Sequence, residues 1–187
     1  MPYKEVLDAY QLGLEVPEDI TLMWCDDNYG YIRHFPTAKE AARKGGNGVY
    51  FHISYWGRPH DYLWLATNSP ARIYSQMKLS YDKENRDMWV LSVGDFKPGV
   101  YLTEFFLDIA WNINFIEENK QALDQHLHHW LSHEFGEDKA SELTAVMNEY
   151  YRLAYIRKPE YMGNTRTEET KPHWNIVSDL AWSEKQI

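Results

Sequence analysis

The sequence predicts an α/β fold, a partial (β/α) TIM-type barrel with parallel strands, followed by an α-helical segment. Three observations predict it. Short apolar runs at 21–25, 48–54 and 88–93 each end at a polar or glycine-containing turn, as strands buried in a parallel sheet do. Helical patterns separate these runs, so strand, loop and helix alternate three times. After about residue 112 the character changes, and residues 115 to 158 are rich in Leu, Ala, Glu, Lys and Gln at helical spacing. A closed barrel needs eight βα units and this chain carries about three. The expectation is therefore a partial barrel over residues 1–112 and the start of a helical bundle over 113–187.

The elements follow in order. Tyr3, Val6, Leu7, Tyr10 and Leu14 recur at helical spacing until the Val16-Pro17 break. Thr21-Leu22-Met23-Trp24 is the first strand, and Cys25-Asp26-Asp27-Asn28 stops it. Thr37 can cap a helix through Lys44, which the glycines at 45, 46 and 48 end. Gly48 to Ser54 forms the second strand, with a polar loop to Tyr62 beyond it. Ser69-Pro70 opens a helix carrying Ile73, Met77 and Tyr81 on one face. Met88 to Val93 is the third strand, and a helix from about 102 to 110 follows its Gly94-Asp95 turn. Two helices then meet at Phe135-Gly136-Glu137, and a polar tail ends in a short helix over 174–187.

Composition narrows the partners. The net charge is −9, and no Lys/Arg cluster makes a basic stripe, which argues against nucleic acid or anionic lipid. No apolar run approaches membrane-spanning length. The first residues show no apolar signal-peptide core, and a single cysteine, Cys25, forms no intrachain disulfide. Aromatic residues make up 16% of the chain; their planes serve cores and sugar faces alike.

Function in such sheets sits at the carboxyl ends of the strands. Those ends carry Asp26, Asp27 and Asn28, then His52 and Tyr55, then Asp95. Carboxylates and an amide can bind sugar hydroxyls or activate water, but Asp and Asn also build turns and cap helices. A strand-end His and Tyr suit a sugar pocket, while a lone strand His is often only a satisfied core residue. Asp95 with Lys97 can equally be a structural ion pair. His126, His128, His129 and His133 lack a third ligand and the HExxH spacing, so no metal site and no cofactor is expected. Serine-nucleophile, Walker and GxGxxG signatures are missing.

The stretch Thr21 to Arg33, TLMWCDDNYGYIR, resembles the W-x-D-D-N-[WY]-G-x-I-R segment of glycoside hydrolase family 115. Gly48 to Trp64, GVYFHISYWGRPHDYLW, is similar to that family's own wording, and VGDFKP at 93–98 and RKPE at 157–160 recur at matching distances. The resemblance runs from about residue 3 to residue 165. It implies an inverting α-glucuronidase that removes α-1,2-linked glucuronic acid or its 4-O-methyl ether from xylan. It implies a TIM barrel followed by a helical bundle, and full-length members that are secreted or periplasmic. Glu5, in Tyr3-Lys4-Glu5, matches the family's general acid, and His52 and Tyr55 match its pocket residues. Ser92 stands where the family carries asparagine. The resemblance places the second carboxylate and a uronate-binding arginine upstream of residue 1, leaving Arg58 and Lys97 as the best remaining cations.

The expectations are thus Glu5 as acid and Asp26, Asp27, Asn28, His52, Tyr55, Arg58, Ser92 and Asp95 around substrate. The substrate is glucuronoxylan or its oligosaccharides, and open strand edges favour self-association. A non-catalytic carbohydrate-binding module derived from such an enzyme is the alternative.

Overall fold

The computed structural model describes residues 1–27, 29–54, 63–116, 121–156 and 158–159. Strands β1 (Leu22–Cys25), β2 (Asn47–His52) and β3 (Met88–Ser92) form one sheet in the order β1-β2-β3. Both pairings are parallel, with Trp24 opposite Val49 and His52 opposite Ser92. The helices are α1 (Glu5–Gln11), α2 (Ala38–Ala41), α3 (Pro70–Asp82), α4 (Val100–Trp111), α5 (Ala122–Phe135) and α6 (Glu137–Ile156). Each anticipated strand is present and lies beside its sequence neighbour, so the parallel βα order is observed. The helix anticipated over 174–187 lies outside the described residues.

Local chemistry sets the ends. Ser69 accepts the Arg72 N–H and Pro70 follows it, so α3 begins there. Thr37 and Glu40 exchange side-chain and backbone bonds in a capping box that starts α2. That helix stops at Ala41, short of the anticipated Lys44, because the chain must slip past residues 19 and 20. A Cβ on Gly45 would fall 2.4 Å from the Ile20 carbonyl carbon, so only glycine allows this approach.

Strand alternation divides the sheet into two faces. Val49, Phe51 and Ile53 point to α3 and α4, where Ile73, Met77, Leu102, Phe105 and Phe106 are buried against them. The Phe51 and Phe106 rings stack at 6.2 Å, and Phe51 is fully buried, worth about 2–3 kcal/mol in transfer alone. The other face carries Met23, Cys25, Tyr50, His52, Val90 and Ser92. Leu127 and Leu131 of α5 and Ala140 and Tyr151 of α6 join the same buried cluster. The helical segment therefore packs onto the βα units.

A buried amide pins the flank. Asn47 Oδ1 accepts from Trp24 Nε1 at 2.9 Å, its Nδ2 donates to the Glu40 carbonyl at 2.8 Å, and its N–H reaches Asp87 at 2.7 Å. Every polar arm of this fully buried residue meets a partner, as the cost of an orphaned buried group requires. No helix among the described residues is long and apolar enough to cross a membrane.

Candidate active site

Parallel pairing brings the carboxyl ends of all three strands to one side. Asp26 follows β1 directly, His52 ends β2 and Ser92 ends β3, with His52 and Ser92 in register. Asp26 is fully buried. Its Oδ2 accepts the His52 backbone N–H at 3.1 Å, and its Oδ1 lies 2.5 Å from His52 Nδ1. In a regular ladder the Asp26 carbonyl would take that backbone N–H; here the side chain replaces it, and main-chain pairing of β1 ends. With the carboxylate ionised, Nδ1 must carry the proton, which fixes the imidazole tautomer and its plane. Burial pushes the Asp26 carboxyl up to about 6 against the lowering effect of the His52 bonds. Such a group takes up or releases a proton near neutral pH, the range in which acid–base chemistry is useful.

Asp27 has a different task. Its Oδ1 accepts the N–H groups of Tyr29 at 2.8 Å and Tyr31 at 3.2 Å, so it folds the loop as an Asx turn. Its Oδ2 lies 3.4 Å from Arg33. Burial raises its pKa, opposed by those N–H bonds and by the charges of Arg33 and Lys158. Arg72, from the first turn of α3, donates to the Tyr29 carbonyl at 3.3 Å and lies over the Tyr31 ring at 3.8 Å.

Tyr3 lies with its ring 6.2 Å from that of His52, which brings the start of α1 to the same end of the sheet. Glu5, two residues on, is exposed in the first turn of α1. Lys4 before it has φ 49, a left-handed conformation that non-glycine residues adopt at a cost. Asp95 is half-buried in the turn after β3, and among the ion pairs of the described residues none joins it to Lys97. Asn28, Tyr55 and Arg58 lie outside the described residues.

The sequence matches the glycosyl hydrolase family 115 model over residues 1–161. The chain belongs to glycosyl hydrolase family 115. Among solved structures it is similar to a family GH115 4-O-methyl-α-glucuronidase with specificity for decorated arabinogalactans. That likeness has 62% identity and a TM-score of 0.83, and covers 92% of this chain and 22% of the other. The chain thus spans about a fifth of that structure. No curated protein matches.

Within this family 115 chain, two residues that sequence reasoning gave no role hold the site together. Asn68, 7% exposed, donates through Nδ2 to the His52 carbonyl at 2.9 Å. Lys158 reaches Asn68 Oδ1 at 2.9 Å and Thr67 Oγ1 at 3.0 Å. The only signal for Lys158 was its place in the RKPE motif; Asn68 carried none. The helical histidines are occupied separately. His126 meets Asp108 at 2.9 Å, His128 meets Ser141 at 3.3 Å and His133 meets Glu134 at 3.4 Å. Among the described residues no group of three His, Cys, Asp or Glu side chains is arranged to hold a metal ion.

Proposed function

We propose that this chain is a segment of an inverting α-glucuronidase that removes α-1,2-linked glucuronic acid or its 4-O-methyl ether from xylan. The observation that carries the reading is the Asp26–His52 pair. In a chain of this glycoside hydrolase family, a buried carboxylate with a pKa of about 6 stands beside an oriented imidazole at the functional end of a parallel sheet. In this reading Glu5 is the general acid. Asp27, Asn28, His52, Tyr55, Arg58, Ser92 and Asp95 line the uronate pocket, while Asp26, expected from the sequence to contact substrate, is fully buried and orients His52 instead. Inversion requires an acid to protonate the leaving oxygen and a base to activate water on the opposite face, about 6.5–9.5 Å apart. The base and a uronate-binding arginine come from parts of the barrel outside these three βα units. Residues 1–112 belong to the barrel, and residues from 113 onward begin the helical bundle.

A second substrate is favoured by one finding. The similar structure, at 62% identity, is that of an enzyme specific for decorated arabinogalactans, so uronate-capped arabinogalactan side chains are proposed alongside xylan. The test incubates the purified chain with aldouronic oligosaccharides and with uronate-decorated arabinogalactan, measuring binding by calorimetry and release by chromatography. The expected result is weak binding, abolished by His52→Ala, with no release. Lacking one member of an acid–base pair removes on the order of 10²–10⁴ in rate, and lost positioning removes more. Uronic acid release that disappears in Glu5→Gln would show that the base lies within this chain, at Asp26 or Asp27. Neither binding nor release from either polymer would sink the glucuronidase reading.

A further inference from the structure

The end of α6 returns across the carboxyl end of the sheet and touches both site loops. The Tyr150 hydroxyl donates to the Ala66 carbonyl at 3.1 Å. The Tyr155 ring lies 5.0 Å from the Arg72 guanidinium, which also sits over Tyr31. Lys158 then reaches Thr67 and Asn68. An ammonium group only donates, so Asn68 must present its oxygen to Lys158 and its amide nitrogen to the His52 carbonyl. The opposite amide orientation would set two donors against each other on one side and two acceptors on the other. The loop after β1 closes on the same amide. Gly30 has φ +79, and a Cβ there would lie 3.0 Å from Asn68 Oδ1.

Among the described hydrogen bonds, His52 is consequently held at its N–H and its Nδ1 by Asp26, and at its carbonyl by Asn68. The first two belong to the sheet. The third has its orientation dictated by a residue 90 positions further along the chain.

We propose that Lys158 is a positioning residue for the Asp26–His52 pair, acting through Asn68, so that the helical segment fixes the geometry of a site built on the sheet. The proposal rests on the reading of that pair as part of the active site. Without Lys158 the Asn68 amide is free to turn over and set its oxygen against the His52 carbonyl. The strand end then loses that brace, and the bond from Nδ1 to Asp26 is held less tightly. The charge of Lys158 also opposes the burial that raises the Asp27 carboxyl, so its loss acts on the β1 loop as well.

The test follows the His52 Nδ1 proton by nuclear magnetic resonance in the isotope-labelled chain, its signal assigned by its loss in His52→Gln. In Lys158→Met the proton is expected to exchange with water roughly tenfold faster, the effect of weakening one strong hydrogen bond. Lys158→Arg, which keeps a cationic donor, restores the slow rate. Asn68→Asp keeps an oxygen for Lys158 but offers His52 no donor, and is expected to behave like Lys158→Met; it decides the matter if Lys158→Met does not fold. An unchanged exchange rate in Lys158→Met, with only a lowered melting temperature, overturns the proposal and leaves Lys158 a structural residue. The readout needs no substrate. Failure to bind or cleave uronates therefore counts against the proposed function, and an unmoved proton counts against the positioning role alone.

Discussion

Glu40 on the flank of the sheet and Asp26 at its carboxyl end are both carboxylates buried against a histidine, yet their acidities move in opposite directions. Glu40 is 8% exposed and Asp26 fully buried, and in both cases burial raises the pKa. What differs is the supply of donors. Glu40 accepts the Thr37 N–H at 2.7 Å and His34 Nε2–H at 3.0 Å, and the nearby Thr37 and Tyr10 hydroxyls favour its charge further. Together these outweigh burial and bring it down to about 2. Asp26 receives two bonds, both from His52, and stays near 6. Satisfied from several elements at once, Glu40 is a fixed charge that joins α1, α2 and the loop at His34. Satisfied by one residue, Asp26 remains close to its protonation boundary. The lesson is that a buried carboxylate–histidine pair marks a reactive site only where the donors are too few to offset desolvation.

The largest expected effect that can break this comparison is at Glu40. Glu40→Gln keeps the volume and removes the charge that the surrounding donors stabilise. The folded pKa lies below the unfolded value of about 4.5, so the ionised form contributes stability above that pH and loses it as the pH falls toward 2. The variant is therefore expected to be less stable by about 2–3 kcal/mol at pH 7. The deficit should shrink steadily below pH 4.5. Urea unfolding at pH 7 and pH 3 measures both values. An equal deficit at the two pH values would mean that packing, not charge, is what Gln disturbs.

The sheet was legible in the sequence because each strand is a short apolar run stopped by a turn, and the stops at Asp26 and Gly94 are local chemistry. The start of α3 was legible for the same reason: Ser69-Pro70 is a cap and first-turn signal within two residues. Asp26 and His52 could be placed at one end of the sheet, since parallel order alone dictates it. Their mutual bond could not be read, because it replaces a ladder contact between residues 26 positions apart. The roles of Asn68 and Lys158 were invisible for a stronger reason, even though Lys158 sits in the RKPE motif. Each is an ordinary polar residue in a loop or at a helix end, and only the return of α6 over the sheet gives them a role. The pair at Glu40 and His34 escaped notice because the capping box at Thr37 accounts for Glu40 by itself, and nothing local indicates that His34 folds back onto it.

A smaller effect of opposite sign is expected at the other pair, and it sharpens the comparison most. Asp26→Asn resembles the protonated carboxyl, which is the form the fold prefers, since the folded pKa of about 6 lies above the unfolded value of 3.8. A raised carboxyl pKa means that the native state is most stable with the proton on, below about pH 4. That stability is lost as the pH climbs through 6 and the buried charge appears. The asparagine has no such charge to bury. It should match the parent near pH 4 and exceed it by about 1 kcal/mol at pH 8, well below the roughly 3 kcal/mol that the pKa displacement implies, because the carboxamide must turn its nitrogen toward Nδ1. Urea unfolding of both proteins at pH 4 and pH 8 gives the four values needed. A variant less stable than the parent at pH 8 would place Asp26 with Glu40 among the fixed charges, and the argument that its poise is chemical would fail. A gain at pH 8 together with loss of the His52 Nδ1 proton signal would show that the chain keeps a destabilising carboxylate where a neutral amide folds better, the trade of stability for function expected at a site that must hold an imidazole in one orientation.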